Sequence, residues 1–193
     1  MARSNPEARL RLVATAADML RRRGMNATSI RDLAKAAKAP LGSTYHYFPE
    51  GKKQVITEAV QLAGDKVSTM LTRELTKGVF SGVESFLQLW RDVIISTEYK
   101  AGCPVIAVVM EEATTAEIDA AHQVAAAVFN HWRGLLGTAL VEEGVDEAQA
   151  KSLATMIIAS TEGALAMCRA TKDIVPFDQV ATQLRFMLTE TLR

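Results

Sequence analysis

The chain predicts an all-α fold: an N-terminal three-helix, helix-turn-helix head over residues 1–50 and a larger helical body over residues 51–193. Three observations carry this expectation. Apolar residues recur at helical spacing almost end to end. No segment has the hairpin or strand-helix-strand neighbours that a sheet needs. Charge is also segregated along the chain. The 193 residues hold 22 Lys and Arg against 22 Asp and Glu, yet residues 1–53 hold eleven bases and four acids, eleven minus four or +7, leaving −7 for the rest. A basic first quarter on an acidic body is the footprint of a polyanion-binding head joined to a part with another task.

The elements of the head follow in order. Asn5 and Pro6 read as an N-cap and a first-turn proline, after which Leu10, Val13, Ala14, Ala17 and Leu20 share one helical face. Arg21, Arg22 and Arg23 suit the C-terminal dipole, and Gly24 stops the helix. Thr28 or Ser29 caps a second, short helix through Ala37, with Ile30, Leu33, Ala34 and Ala37 on one face. Lys38-Ala39-Pro40 interrupts it, because a residue before proline is biased out of the α region. A third short helix fits Leu41 to Phe48 before Pro49, Glu50 and Gly51 break the chain again.

That third helix is poor in aliphatic surface and lies inside the basic region. Gly42 lets a backbone approach closely, and Ser43, Thr44, Tyr45, His46 and Tyr47 offer hydrogen bonds to phosphates or base edges. Lys52 and Lys53 open the next helix, where they can neutralise phosphates. A packing role also exists for Tyr45 and Phe48, as plugs between the short helices and the body, and it suits Phe48 best.

The run TSIRDLAKAAKAPLGSTYHYFPEGKKQVITEAV resembles the DNA-binding head of the TetR family of bacterial transcriptional repressors, over roughly residues 6–60. The resemblance implies that Thr28 and Ser29 meet phosphate, that Tyr47 and Lys52 clamp the backbone, and that Leu41, Gly42, Ser43, Tyr45 and His46 face the major groove. Lys38 stands where many members have Gly and adds a phosphate contact; Leu41 replaces a commoner basic residue and is placed to meet a thymine methyl. The extra glycine in FPEGK is similar to a branch that includes regulators of drug-efflux genes.

In the body, Ile56, Ala59, Val60, Ala63, Val67, Met70 and Leu71 predict a long helix from Lys52 to Leu75. Gly78 and Gly82 are expected to bound a loop, followed by a helix striped by Val83, Phe86, Leu87, Trp90 and Ile94. PVIAVVM is β-branched enough for a strand but has no partner strand, so a buried helix is expected. Val124 to Ala139 marks another helix ending near Gly144, and Asp146 caps the next. The segment Leu153 to Cys168 is apolar on more than one stripe, and Phe177, Val180, Ala181, Leu184 and Leu188 form a seam after Pro176. Exposing both would leave a large apolar patch, so a homodimer is expected; the family resemblance implies a four-helix interface built from these two helices of each subunit.

Phe86, Trp90, Met110, Phe129, Trp132, Met156 and Met167 are candidates to line an effector pocket, although residues at this helical spacing are more often plain core. Glu162 interrupts an apolar helix and calls for a partner, either a ligand or a structural group such as Arg169. Glu111 and Glu112 read as a further pair of acids, effector-facing or simply solvated. No catalytic signature appears: Asp119 and His122 have the spacing of an iron-binding pair but no second such pair exists, so neither metal nor cofactor is expected and the chain is not read as an enzyme. The charged start and the lack of a long apolar run point to a cytoplasmic protein with no membrane partner. Cys103 and Cys168 suit a reducing compartment as buried thiols. The expected partners are a double-stranded DNA operator and a small-molecule effector. The rival reading is a helical small-molecule-binding protein or enzyme whose basic head does not read DNA.

Overall fold

The computed structural model describes residues 5–112 and 115–193. Among the described residues there are nine α-helices and no strands: α1 (Pro6–Arg23), α2 (Ile30–Ala36), α3 (Leu41–Tyr47), α4 (Lys52–Leu75), α5 (Val79–Ser96), α6 (Pro104–Val109), α7 (Ala116–Glu142), α8 (Glu147–Thr171) and α9 (Val175–Thr191). Two compact units result, one of Met1–Gly64 with Cys103–Val128 and one of Asp65–Gly102 with Phe129–Arg193. No helix among the described residues is long and apolar enough to cross a membrane.

In the first unit, local chemistry sets each boundary of the head. The Asn5 side chain accepts the amides of Glu7 and Ala8 at 3.0 and 3.3 Å, satisfying donors that an α1 beginning at Pro6 leaves open. Gly24 ends that helix at φ +76°, a conformation glycine adopts without steric cost. Ser29 caps α2 by accepting the Asp32 amide at 3.0 Å. Leu12, Leu20, Met25, Leu33, Phe48 and Ile56 are all but inaccessible and form the core beneath the short helices. Short α6 packs on α1, burying Pro104, Val105 and Val108. Its β-branched run is helical because Pro104 starts it and the buried face supplies what propensity does not. At Gly64 on α4, a Cβ would lie 2.5 Å from Val128 Cγ2 on α7, so the close approach of these two helices requires glycine.

In the second unit, α8 packs on α5 and α9. Arg91 on α5 holds Asp178 on α9 through two bonds of 2.9 and 3.2 Å, and Arg185 on α9 holds Glu84 on α5 at 2.6 and 2.9 Å. Arg91 keeps the Asp178 carboxyl below its usual range. Two boundaries differ from the sequence expectation. Gly82 lies inside α5 rather than in a loop, and what favours glycine there is packing, since a Cβ would sit 2.3 Å from Leu75 Cδ2. Helix α7 begins at Ala116, well before Val124, since the alanine-rich first turns show little apolar contrast in sequence yet bury Ile118, Ala121 and Ala125.

Candidate nucleic-acid interface

Helix α3 is a seven-residue helix following Pro40, in which Thr44 alone is buried. Leu41, Gly42, Ser43, Tyr45 and His46 are exposed, with Leu41 38% and Tyr45 54% accessible. Among the described residues a Cβ on Gly42 would meet nothing within 4 Å, so no neighbour there demands glycine, and the backbone is left uncovered. Tyr47 is half-buried; its hydroxyl accepts the Asn5 amide at 3.2 Å, which leaves the phenolic proton available to another acceptor.

Two residues expected at the DNA contact, Thr28 and Thr44, are buried. Thr28 is 2% and Thr44 0% accessible, and their hydroxyls donate to the carbonyls of Gly24 and Pro40 at 2.9 and 3.2 Å. Their side chains hold turns and helix starts together, and neither presents a donor at the surface. Ser29 is exposed, but its hydroxyl donates to Asp32 at 2.5 Å, so a phosphate would compete with that carboxylate. Lys38 is exposed and takes the left-handed conformation at φ +50°, in the turn between α2 and α3. A lysine in this conformation carries a strain that glycine would not.

Lys52 and Lys53 stand in the first turn of α4, half-buried, with no acid in that turn. Helix dipole and lysine charge therefore add within that turn, with Glu50, just before it and 4.0 Å from Lys53, offsetting part of the sum. Beneath them, Arg9 reaches Glu58 at 2.5 Å and lies 5.2 Å from the centre of the Phe48 ring, while Gln54 also donates to Glu58 at 3.0 Å. This network ties α1 to α4 and to Phe48, the residue that ends α3. Arg9 is visible in the sequence only as one more base, and its partner 49 positions away is not signalled.

The candidate effector residues divide into two groups. Phe86, Trp90, Phe129 and Trp132 cluster in the second unit, edge to face, with ring centres 6.2 Å apart for Phe86 and Trp90, 6.0 Å for Phe86 and Trp132 and 5.6 Å for Phe129 and Trp132. Trp90 is buried, and its indole N–H has no acceptor among the described residues. Glu162 is also buried. By contrast, Met156 and Met167 project from α8 at 44% and 56% accessibility, and Met110, in the first unit, is 79% accessible. All three methionines are thus open to the surface of their units. A separate cleft of about 500 Å³, lined by Asn130, Arg133, Gly134, Gly137, Thr138 and Lys151 among others, contains none of the expected effector residues. Burial pushes the Cys168 thiol up, which keeps it protonated.

The chain is similar to known proteins along nearly its whole length. The family described as bacterial regulatory proteins, tetR family, matches residues 12–59, and that described as transcriptional regulator LmrA/YxaF-like, C-terminal domain, matches residues 80–183. An uncharacterized helix-turn-helix-type transcriptional regulator of Mycobacterium tuberculosis (strain ATCC 25618 / H37Rv) is 35% identical over 187 residues, covering 95% of each chain. The helix-turn-helix-type transcriptional regulator LmrA of Bacillus subtilis (strain 168) is 24% identical over 180 residues, covering 91% of this chain and 94% of its own. Among solved structures, a TetR transcriptional regulator from Legionella pneumophila shares the fold at a TM-score of 0.79 and 22% identity, over 97% of this chain and 99% of that one.

Proposed function

The chain belongs to the TetR family of bacterial regulatory proteins, and from this membership we propose that it is a ligand-responsive transcriptional repressor acting in the cytoplasm. It binds a roughly palindromic operator as a homodimer and is released by a small, mostly apolar effector.

The observation that carries this reading is the recognition helix. Leu41, Gly42, Ser43, Tyr45 and His46 are exposed on an element that contributes one buried residue to the fold. A helix that does so little for its own core is suited to a partner, and its mix of methyl, hydroxyl, imidazole and bare backbone suits base edges in a major groove. The first turn of α4 supports the same reading. Glu50, 4.0 Å from Lys53, offsets part of this charge, and the Lys52 charge together with the helix dipole favours a further anion, which a DNA phosphate supplies. Tyr47, Ser29 and Lys38 are the other phosphate contacts in this proposal.

Support for a dimer comes from α8 and α9. Met156, Met167, Val175 and Phe186 are each more than 40% accessible, and the exposed small residues Ala159, Gly163 and Ala166 lie between the two methionines in sequence. Apolar side chains with small residues between them are what a helical interface buries. Support for the effector comes from the aromatic cluster: a mostly apolar molecule entering beside Trp90 stabilises the bound state by offering one acceptor to the indole N–H. To reverse the DNA-competent population from 99:1 to 1:99, its affinities for the two states must differ by about 5.5 kcal/mol.

Selection from random duplex DNA by the purified protein at near-physiological salt tests the proposal. Enrichment of a palindrome whose half-sites are ~34–36 Å apart, or a multiple of that, is expected. Salt-sensitive bulk binding without enrichment overturns it in favour of a helical small-molecule-binding protein.

A further inference from the structure

We infer that Glu111, far outside the helix-turn-helix in sequence, is a positioning residue that sets the turn from which α2 departs; the inference rests on DNA binding by the head and goes beyond it. Glu111 lies just past the end of α6. Its carboxylate takes two donors from Asn26, the backbone N–H at 3.4 Å on Oε1 and the side-chain Nδ2 on Oε2. The same Oε1 lies 3.0 Å from where a Cβ on Gly24 would sit, so glycine at that position leaves room for the carboxylate. These contacts fall in the five-residue stretch between Gly24 and Thr28, where the Thr28 amide donates to Met25 and its hydroxyl to Gly24. Ser29, the cap of α2, follows directly, and α3 packs on α2.

The carboxylate is itself held from behind. The Glu111 amide donates to the Val108 carbonyl at 3.2 Å, and His122 Nε2 on α7 lies 2.9 Å from that same oxygen. A carbonyl only accepts, so Nε2 carries the hydrogen. A continuous run of hydrogen bonds therefore leads from α7 through the end of α6 to the turn that orients α2 and, through it, α3. The polar partners of Glu111 lie in the turn before α2 and at the end of α6, so its influence on DNA passes through the orientation of the head.

The test is a double-mutant cycle on the full chain, using the duplex that the wild type selects. Asn26→Ala and Glu111→Ala are each expected to weaken binding about 5- to 20-fold, with the double variant no weaker than either single. The salt slope should not change, because neither residue meets a phosphate. Glu111→Gln keeps an acceptor while removing the charge and should retain most of the affinity, which separates positioning from relief of charge repulsion. His122→Phe should reproduce a part of the loss. Wild-type affinity in both single variants, or losses that multiply in the double, overturns the inference, as does a fall in thermal midpoint large enough to unfold the variants at the assay temperature. If the wild type selects no duplex, the DNA reading fails and hydrogen exchange at the amides of residues 24–29 decides this inference. Faster exchange in Glu111→Ala upholds it, and unchanged exchange overturns it.

Discussion

Asn5 and Tyr47, 42 positions apart, share a hydrogen bond of 3.2 Å in which the Asn5 amide donates to the tyrosine hydroxyl. The bond fastens the last turn of α3 to the start of α1 and leaves the phenolic proton to donate elsewhere. Tyr47→Phe removes both the tether and the proposed phosphate donor. Affinity should fall about 5- to 20-fold for selected and unrelated duplexes alike, with a stability loss of about 0.5–1.5 kcal/mol. Fluorescence anisotropy and denaturant melts check the two parts.

Lys52→Ala should weaken binding to every sequence. The slope of log affinity against log salt should become shallower by about 0.9 for each head, the loss of one phosphate contact. Equal slopes in variant and wild type would remove Lys52 from the interface.

Thr44 and Tyr45 are neighbours with opposite exposure and should separate cleanly. Thr44→Val loses the hydroxyl bond to Pro40 and should cost about 0.5–1.5 kcal/mol of stability while leaving the preferred sequence intact. Tyr45→Ala should do the reverse, with near-normal stability and a changed ranking of operators in a repeat of the random-duplex selection.

Glu74 gives a pH prediction in the second unit. Hydrogen bonds from Lys77, then Arg73, with Ser81 a smaller contributor, hold its carboxyl at about 2, against an ordinary value of 4.5. Since the folded value lies below the unfolded one, the contribution is complete above pH ~4.5 and is lost as pH falls toward 2. Glu74→Gln should therefore flatten the acid limb of the stability profile between these values, as followed by thermal midpoint against pH.

The fold was legible wherever a boundary was chemical and local. Asn5 with Pro6, the Arg21 to Gly24 stop, Ser29 and Asp146 all act within a few residues of themselves, and their helices begin or end where they stand. Gly82 misled because a glycine dictated by a neighbouring leucine looks in sequence like one that breaks a helix. In the site, Thr28 and Thr44 were indistinguishable from surface donors, since a hydroxyl satisfied by the backbone four residues earlier leaves no mark on composition. Met156 and Met167 sit eleven residues apart, close to three helical turns, so they share a face, but spacing alone does not say which face is covered. The Asn26 to Glu111 contact spans 85 positions and has no local signal at all.

The single buried residue of α3 has an evolutionary consequence. Because Leu41, Gly42, Ser43, Tyr45 and His46 contribute almost nothing to the core, changes among them are nearly free of folding cost. A gene copy of this protein can therefore vary those five codons while Thr44, Phe48 and the Arg9 network keep the head folded, so under the proposed operator-reading role target choice and foldability are inherited as separate traits.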